Sequence, residues 1–175
     1  MKASAEQQLG KLRDFSTQLA ERLRTAPQQG SAPMRLAIRI GTSNYLVEMS
    51  SSAEVVDLPD ISRVPWTQAW YRGLANVRGR LVGVVDLPHL TTGVATPAEA
   101  SRQLLVINES LNTHLALLIT RAFGLRNLAN LERLDPLPGA PPWEGARYRD
   151  LEGTSMTELN LGRLIASEAF SSISA

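Results

Sequence analysis

The sequence contains no cysteine. That single absence removes a disulfide framework, a thiolate nucleophile and every cysteine-based zinc site. Aromatic residues are scarce and the formal net charge is +1 with both signs interspersed. The chain therefore offers neither a stacking platform for bases nor the basic footprint from which nucleic-acid binding is argued. Long hydrophobic runs are missing too. Stretches such as Leu115 to Ile119 fall far short of the roughly 20 residues that span a bilayer. The charged opening "MKASAEQQLGKLRDFSTQLAERL" has no continuous apolar core of the kind a signal peptide needs. The expectation is a cytoplasmic protein with no nucleic acid among its partners and no direct membrane insertion.

Catalytic signatures are lacking as well. There is no HExxH, no G-x-S-x-G elbow, no Walker loop and no G-x-G-x-x-G. The two histidines, His89 and His114, stand without metal-ligand spacing. Both read as structural, and neither a metal nor another cofactor is expected. Ser43, His114 and Asp86 are the residue types of a hydrolytic triad, but nothing in their spacing joins them. A small hydrolase with such a spatially assembled site is the competing reading. A receiver-like or small-ligand sensor is a third, and it lacks an acidic cluster suited to Mg²⁺.

What is present is a pattern of short strands. Ser4 and Gln7 form a capping box ahead of Leu9, Leu12, Phe15, Leu19 and Leu23, which predicts an amphipathic helix over residues 4 to 25. "APQQGSAP" then reads as a linker. Met34, Leu36, Ile38 and Ile40 alternate with Arg35, Ala37 and Arg39, which predicts a strand with one face in a core and both arginines in solvent. The turn "GTSN" and the strand "YLVEM" complete a hairpin. Further strands are expected in "RLVGVVDL" at 80 to 87, "RQLLVI" at 102 to 107, "THLALLI" at 113 to 119 and "TSMTELNL". Residues 135 to 146, rich in proline, are expected to form a surface loop, and "GRLIASEAF" a short closing helix. Short strands without alternating long helices predict a mainly β protein of antiparallel barrels or a sandwich.

One segment concentrates charge and glycine together. "WYRGLANVRGRLVGVVDL", residues 70 to 87, places Arg72, Arg78 and Arg80 among Gly73, Gly79 and Gly83. "NVRGRL" reads as a turn between two strands with Arg78 at its tip. Arg78 fits a solvated turn or an interface, and Trp66, Trp70 and Tyr71 just upstream fit a binding hot spot or a core.

These residues resemble the signature of CheW-like adaptor domains, on Tyr71, Gly73, Asn76, Val77, Arg78, Gly79, Val82, Val84, Val85, Asp86 and Leu87. "AEVVDLPDISRVP" at 53 to 65 resembles the family's Glu-apolar pair and the loop after it. "LALLITRAFGLRNLANL" resembles its second-lobe strand pair, and "EGTSMTELNLGRLI" its last strand and C-terminal helix. The likeness covers residues 34 to about 170, and "GLANVRG" with "GLRNLANL" is most similar to the pilus-associated, PilI-type branch.

The resemblance implies two SH3-like five-stranded β-barrel lobes sharing a core in residues 34 to 175, with residues 1 to 33 as an added helix and linker. It implies no enzyme. The implied role is an adaptor that binds the regulatory domain of a CheA-like histidine kinase and the cytoplasmic tip of a methyl-accepting receptor, recruited to the inner face of the cell membrane through receptor arrays. Carried over residue by residue, Arg78, Gly79, Asn76 and Arg80 form the partner-facing turn, and Glu54 with Val55 the kinase-facing pair. Arg80 stands where the family more often has an uncharged or small residue.

Overall fold

The computed structural model describes residues 33–97, 100, 103–171 and 173. The helix expected over residues 4 to 25 lies outside them. Among the described residues the unit Pro33–Ala175 holds two six-stranded sheets and three short α-helices, besides single 3-10 turns. Strands β1 (Met34–Ile40) and β2 (Ser43–Glu48) form the expected hairpin and belong to the first sheet. The second sheet follows without interruption: β3 (Ser52–Asp57), β4 (Ile61–Ser62), β5 (Tyr71–Val77), β6 (Arg80–Val85), β7 (Gln103–Ile107) and β8 (Leu115–Ile119), ordered β3-β7-β8-β6-β5-β4. The chain then returns to the first sheet through β9 (Arg121–Asn127), β10 (Glu132–Leu134), β11 (Glu144–Arg149) and β12 (Ser155–Leu159), giving the order β10-β11-β12-β2-β1-β9. Each lobe thus counts one strand more than the resemblance implies. Its sheet includes a very short member, β4 in one lobe and β10 in the other.

Helix α1 (Leu87–Thr92) follows β6, and α2 (Leu161–Ile165) with α3 (Glu168–Ser171) close the described chain. The closing helix is therefore split. The Asn160 side chain caps the start of α2 by accepting from the Arg163 N–H at 2.9 Å. At its end the Ser167 hydroxyl donates to the Leu164 carbonyl at 2.7 Å.

Three apolar clusters divide the interior, and strand periodicity assigns them. Along β8, Leu115, Leu117 and Ile119 point to a shared core, while Ala116 and Leu118 point into the second lobe. On β7, Leu105 and Ile107 join the shared core, and Leu104 and Val106 join the lobe interior. Both strands are buried on both faces, which is why they read as continuous apolar runs. The shared core takes Ile38, Ile40, Val47 and Leu159 from the first sheet, together with Leu161 and Leu164 of α2 and Phe170 of α3. Ala37, Leu46, Ala146, Tyr148 and Met156 fill the first lobe.

Several expectations change here. The face of β1 bearing Arg35, Ala37 and Arg39 is not simply solvated: Ala37 is buried in the first lobe, Arg35 pairs with Glu158 at 3.6 Å, and the Arg39 guanidinium lies 5.2 Å from the Phe123 ring centre. Residues 115 to 127 are not a strand pair within one lobe. β8 stays in the second sheet, β9 pairs with β1 in the first, and the chain changes lobe at Thr120. The loop at 135 to 146 is shorter than expected because β11 begins at Glu144. Leu87, expected to end the strand over 80 to 87, instead opens α1, which also carries His89.

Candidate functional site

The signature segment folds as the hairpin β5–β6, with Val77 paired to Arg80 across a two-residue loop. Arg78 and Gly79 have φ of 51° and 85°, the double left-handed pattern of a type I′ turn, which matches the twist of the flanking strands. Glycine takes that conformation freely. An arginine does not, because its Cβ crowds the following carbonyl at a cost of about 1–2 kcal/mol. Two contacts secure it. The Asn76 side-chain oxygen accepts from the Gly79 N–H at 2.8 Å, which closes the turn from within. The Arg78 guanidinium donates to Glu54 on β3 at 2.9 Å.

Glu54 joins two strands that are not neighbours in the sheet. Its other oxygen stands 3.6 Å from Arg80, and Arg80 also pairs with Glu109, in the one-turn helix at Glu109–Leu111 between β7 and β8. Arg78 and Arg80 of the expected partner-facing turn thus meet Glu54 of the expected kinase-facing pair in one cluster, with Glu109 as a fourth member. Glu109 carried no signal in the sequence, since it lies 29 positions from Arg80. The Arg78 side chain remains 77% exposed, whereas Glu54 is only 19% exposed. The carboxylate is the fixed partner and the arginine the presented one. Val55 turns to the other face of β3 and packs against the shared core. A depression of about 410 Å³ lined by Asp57, Pro59, Val77 and Arg78 lies beside the turn.

Asp86, at the end of the signature, has a different task. It is fully buried, accepts from the Thr96 N–H at 2.9 Å and the Thr96 hydroxyl at 2.7 Å, caps α1 through the His89 N–H at 3.4 Å, and pairs with Arg72 at 3.6 Å. Its oxygens are committed to helix start, loop and strand. Neither histidine side chain and no serine is among these partners, so the Ser43, His114 and Asp86 set does not assemble around it. Among the described residues no group of three or more His, Asp or Glu side chains is placed to hold a metal ion.

The aromatics upstream divide cleanly. Trp70 is buried with its ring 5.5 Å from that of Phe170, and Tyr71 packs against the shared core, where burial raises its hydroxyl pKa. Trp66 is 88% exposed. The sequence left core and surface equally open for all three.

With the geometry in place, the comparisons with known proteins converge. Residues 35–169 match the CheW-like domain family. The chain is 30% identical over 108 residues to "Protein PilI" of Pseudomonas aeruginosa, a stretch that covers 60% of each protein. The chain thus spans about 60% of the length of that curated relative. The fold is similar to that of the scaffolding protein TtCheW from Thermoanaerobacter tengcongensis, at TM-score 0.63 and 16% identity, over 79% of this chain and 95% of that one.

Proposed function

The chain belongs to the CheW-like domain family, and from that premise we propose that it is a non-enzymatic adaptor coupling a methyl-accepting receptor to a histidine kinase. We further propose that the system it serves controls type IV pili and twitching motility. The similarity to PilI supports the second statement. The observation that carries the first is the Arg78 turn, an exposed cation held in a left-handed conformation by Asn76 and Glu54. A preorganised charge loses little freedom on binding, and arginine is enriched where partners meet. Gly79 allows the turn, Asn76 closes it, Glu54 and Arg80 hold it, and Val55 anchors β3 beneath it. The extension at residues 1 to 33 is proposed as an addition to the adaptor body at 34 to 175.

Among the described residues no helix is long and apolar enough to cross a membrane. In this reading the protein works in the cytoplasm and reaches the membrane's inner face through the receptors it binds.

The test is calorimetric titration of the protein with the kinase regulatory domain and with the receptor's cytoplasmic signalling domain. Arg78→Glu is expected to leave the fold intact and to weaken binding to one of them by about 2 kcal/mol or more, roughly thirtyfold in Kd. Unchanged affinity for both removes Arg78 from the interface. Absence of binding to either partner by the unaltered protein removes the adaptor reading.

A further inference from the structure

The hairpin β5–β6 has two ends, and the one away from the Arg78 turn carries features that the turn does not account for. Trp66, in the loop between β4 and β5, combines near-complete exposure with a φ of 61°. Left-handed backbone is rare for a bulky side chain and clusters at functional positions. In sequence Trp66 lies between Val64 and Thr67, which line a cavity of about 240 Å³ together with Arg63, Tyr71, Arg72 and His89.

The cavity is basic. Among the described residues no carboxylate lines it, and Asp86, the partner of Arg72, is fully buried and not part of the wall. Arg63 is exposed and forms no ion pair among the described residues. The Nδ1 of His89 is buried with no hydrogen-bond partner among the described residues. Arg72 stands near the start of β5 and Arg78 in the turn beyond its end at Val77, about 20 Å apart at the rise of a β-strand. That separation is enough for two partners to be held at once.

We propose that the Trp66 loop and this cavity form a second docking surface, which takes an acidic segment of a partner protein. A carboxylate side chain of that segment enters between Arg63, Arg72 and His89, while an apolar neighbour packs on the Trp66 indole. Charge complementarity selects the carboxylate. The exposed tryptophan selects a polypeptide over a free anion, because an inorganic ion has nothing to place on it. The inference rests on the adaptor reading, which requires two surfaces that do not overlap.

The experiment titrates the full chain, Trp66→Gly and Arg63→Glu with the purified kinase regulatory domain and, separately, with the receptor's cytoplasmic signalling domain. Both substitutions are expected to raise Kd about tenfold or more for the same one partner and to leave the other within about twofold. Trp66→Gly is expected to unfold at the same temperature or higher, because glycine adopts that φ freely. A structural role would lower it. If the full chain binds a partner and neither substitution changes either Kd, the docking surface is overturned and the adaptor reading stands. Loss in Arg63→Glu but not in Trp66→Gly also overturns it, since that is the behaviour of a simple anion site. If the full chain binds neither partner, both readings fall.

Discussion

A left-handed arginine points in one direction only if something holds both the backbone and the guanidinium, and here Asn76 holds the first and Glu54 the second. Removing the backbone restraint isolates its share. Asn76→Ala deletes one hydrogen bond to an exposed turn and is expected to cost about 1 kcal/mol, or about 3 °C in thermal midpoint, read by calorimetry. A second residue-scale expectation concerns Tyr45, whose hydroxyl donates to Glu144 at 3.3 Å. Burial first, and the Glu144 charge second, push its pKa up from 10.0 to about 12. The folded state therefore holds that proton more tightly than the unfolded chain does. This contribution is complete below about pH 10 and is lost as pH rises through about 12. Thermal midpoints measured across that window should fall more steeply for the unaltered protein than for Tyr45→Phe.

Among the elements, the hairpin β5–β6 was the most legible. Alternating apolar residues flank Asn-Val-Arg-Gly, and the glycine supplies one of the two positive φ angles the turn needs. Strands β7 and β8 were legible as strands, but their two faces were not. A continuous apolar run does not say which residues serve the lobe and which the shared core. The change of lobe at Thr120 left no mark at all, because "ITRAF" has neither proline nor glycine to punctuate it. The start of β11 was hidden by the prolines just before it, and α1 by the strand-like run that Asp86 cuts short. At the candidate site the turn residues and Glu54 were visible through the family signature. Glu109, the buried task of Asp86 and the exposure of Trp66 depend on contacts across the fold, and local sequence does not encode them.

For the molecule as a whole, the second lobe is an uninterrupted segment, while the first is assembled from two pieces on either side of it. The shared core makes them interdependent. Val85, Leu105, Ile107, Leu117 and Ile119 pack in one cluster with residues of the first sheet, α2 and α3. A fragment of residues 52 to 119 is therefore expected to keep strand content but lose cooperative unfolding and bind a hydrophobic dye, monitored by circular dichroism and fluorescence. A cooperative melt of that fragment would show that the lobe core suffices. The same nesting sets an order on the growing polypeptide. When Ile119 leaves the ribosome the inner lobe has every strand it will ever have, whereas the outer lobe holds only its opening hairpin and must wait for the remaining four strands. A chaperone that follows this chain during translation thus has one face to guard, the apolar side of the finished inner lobe, until the last strand, β12, emerges.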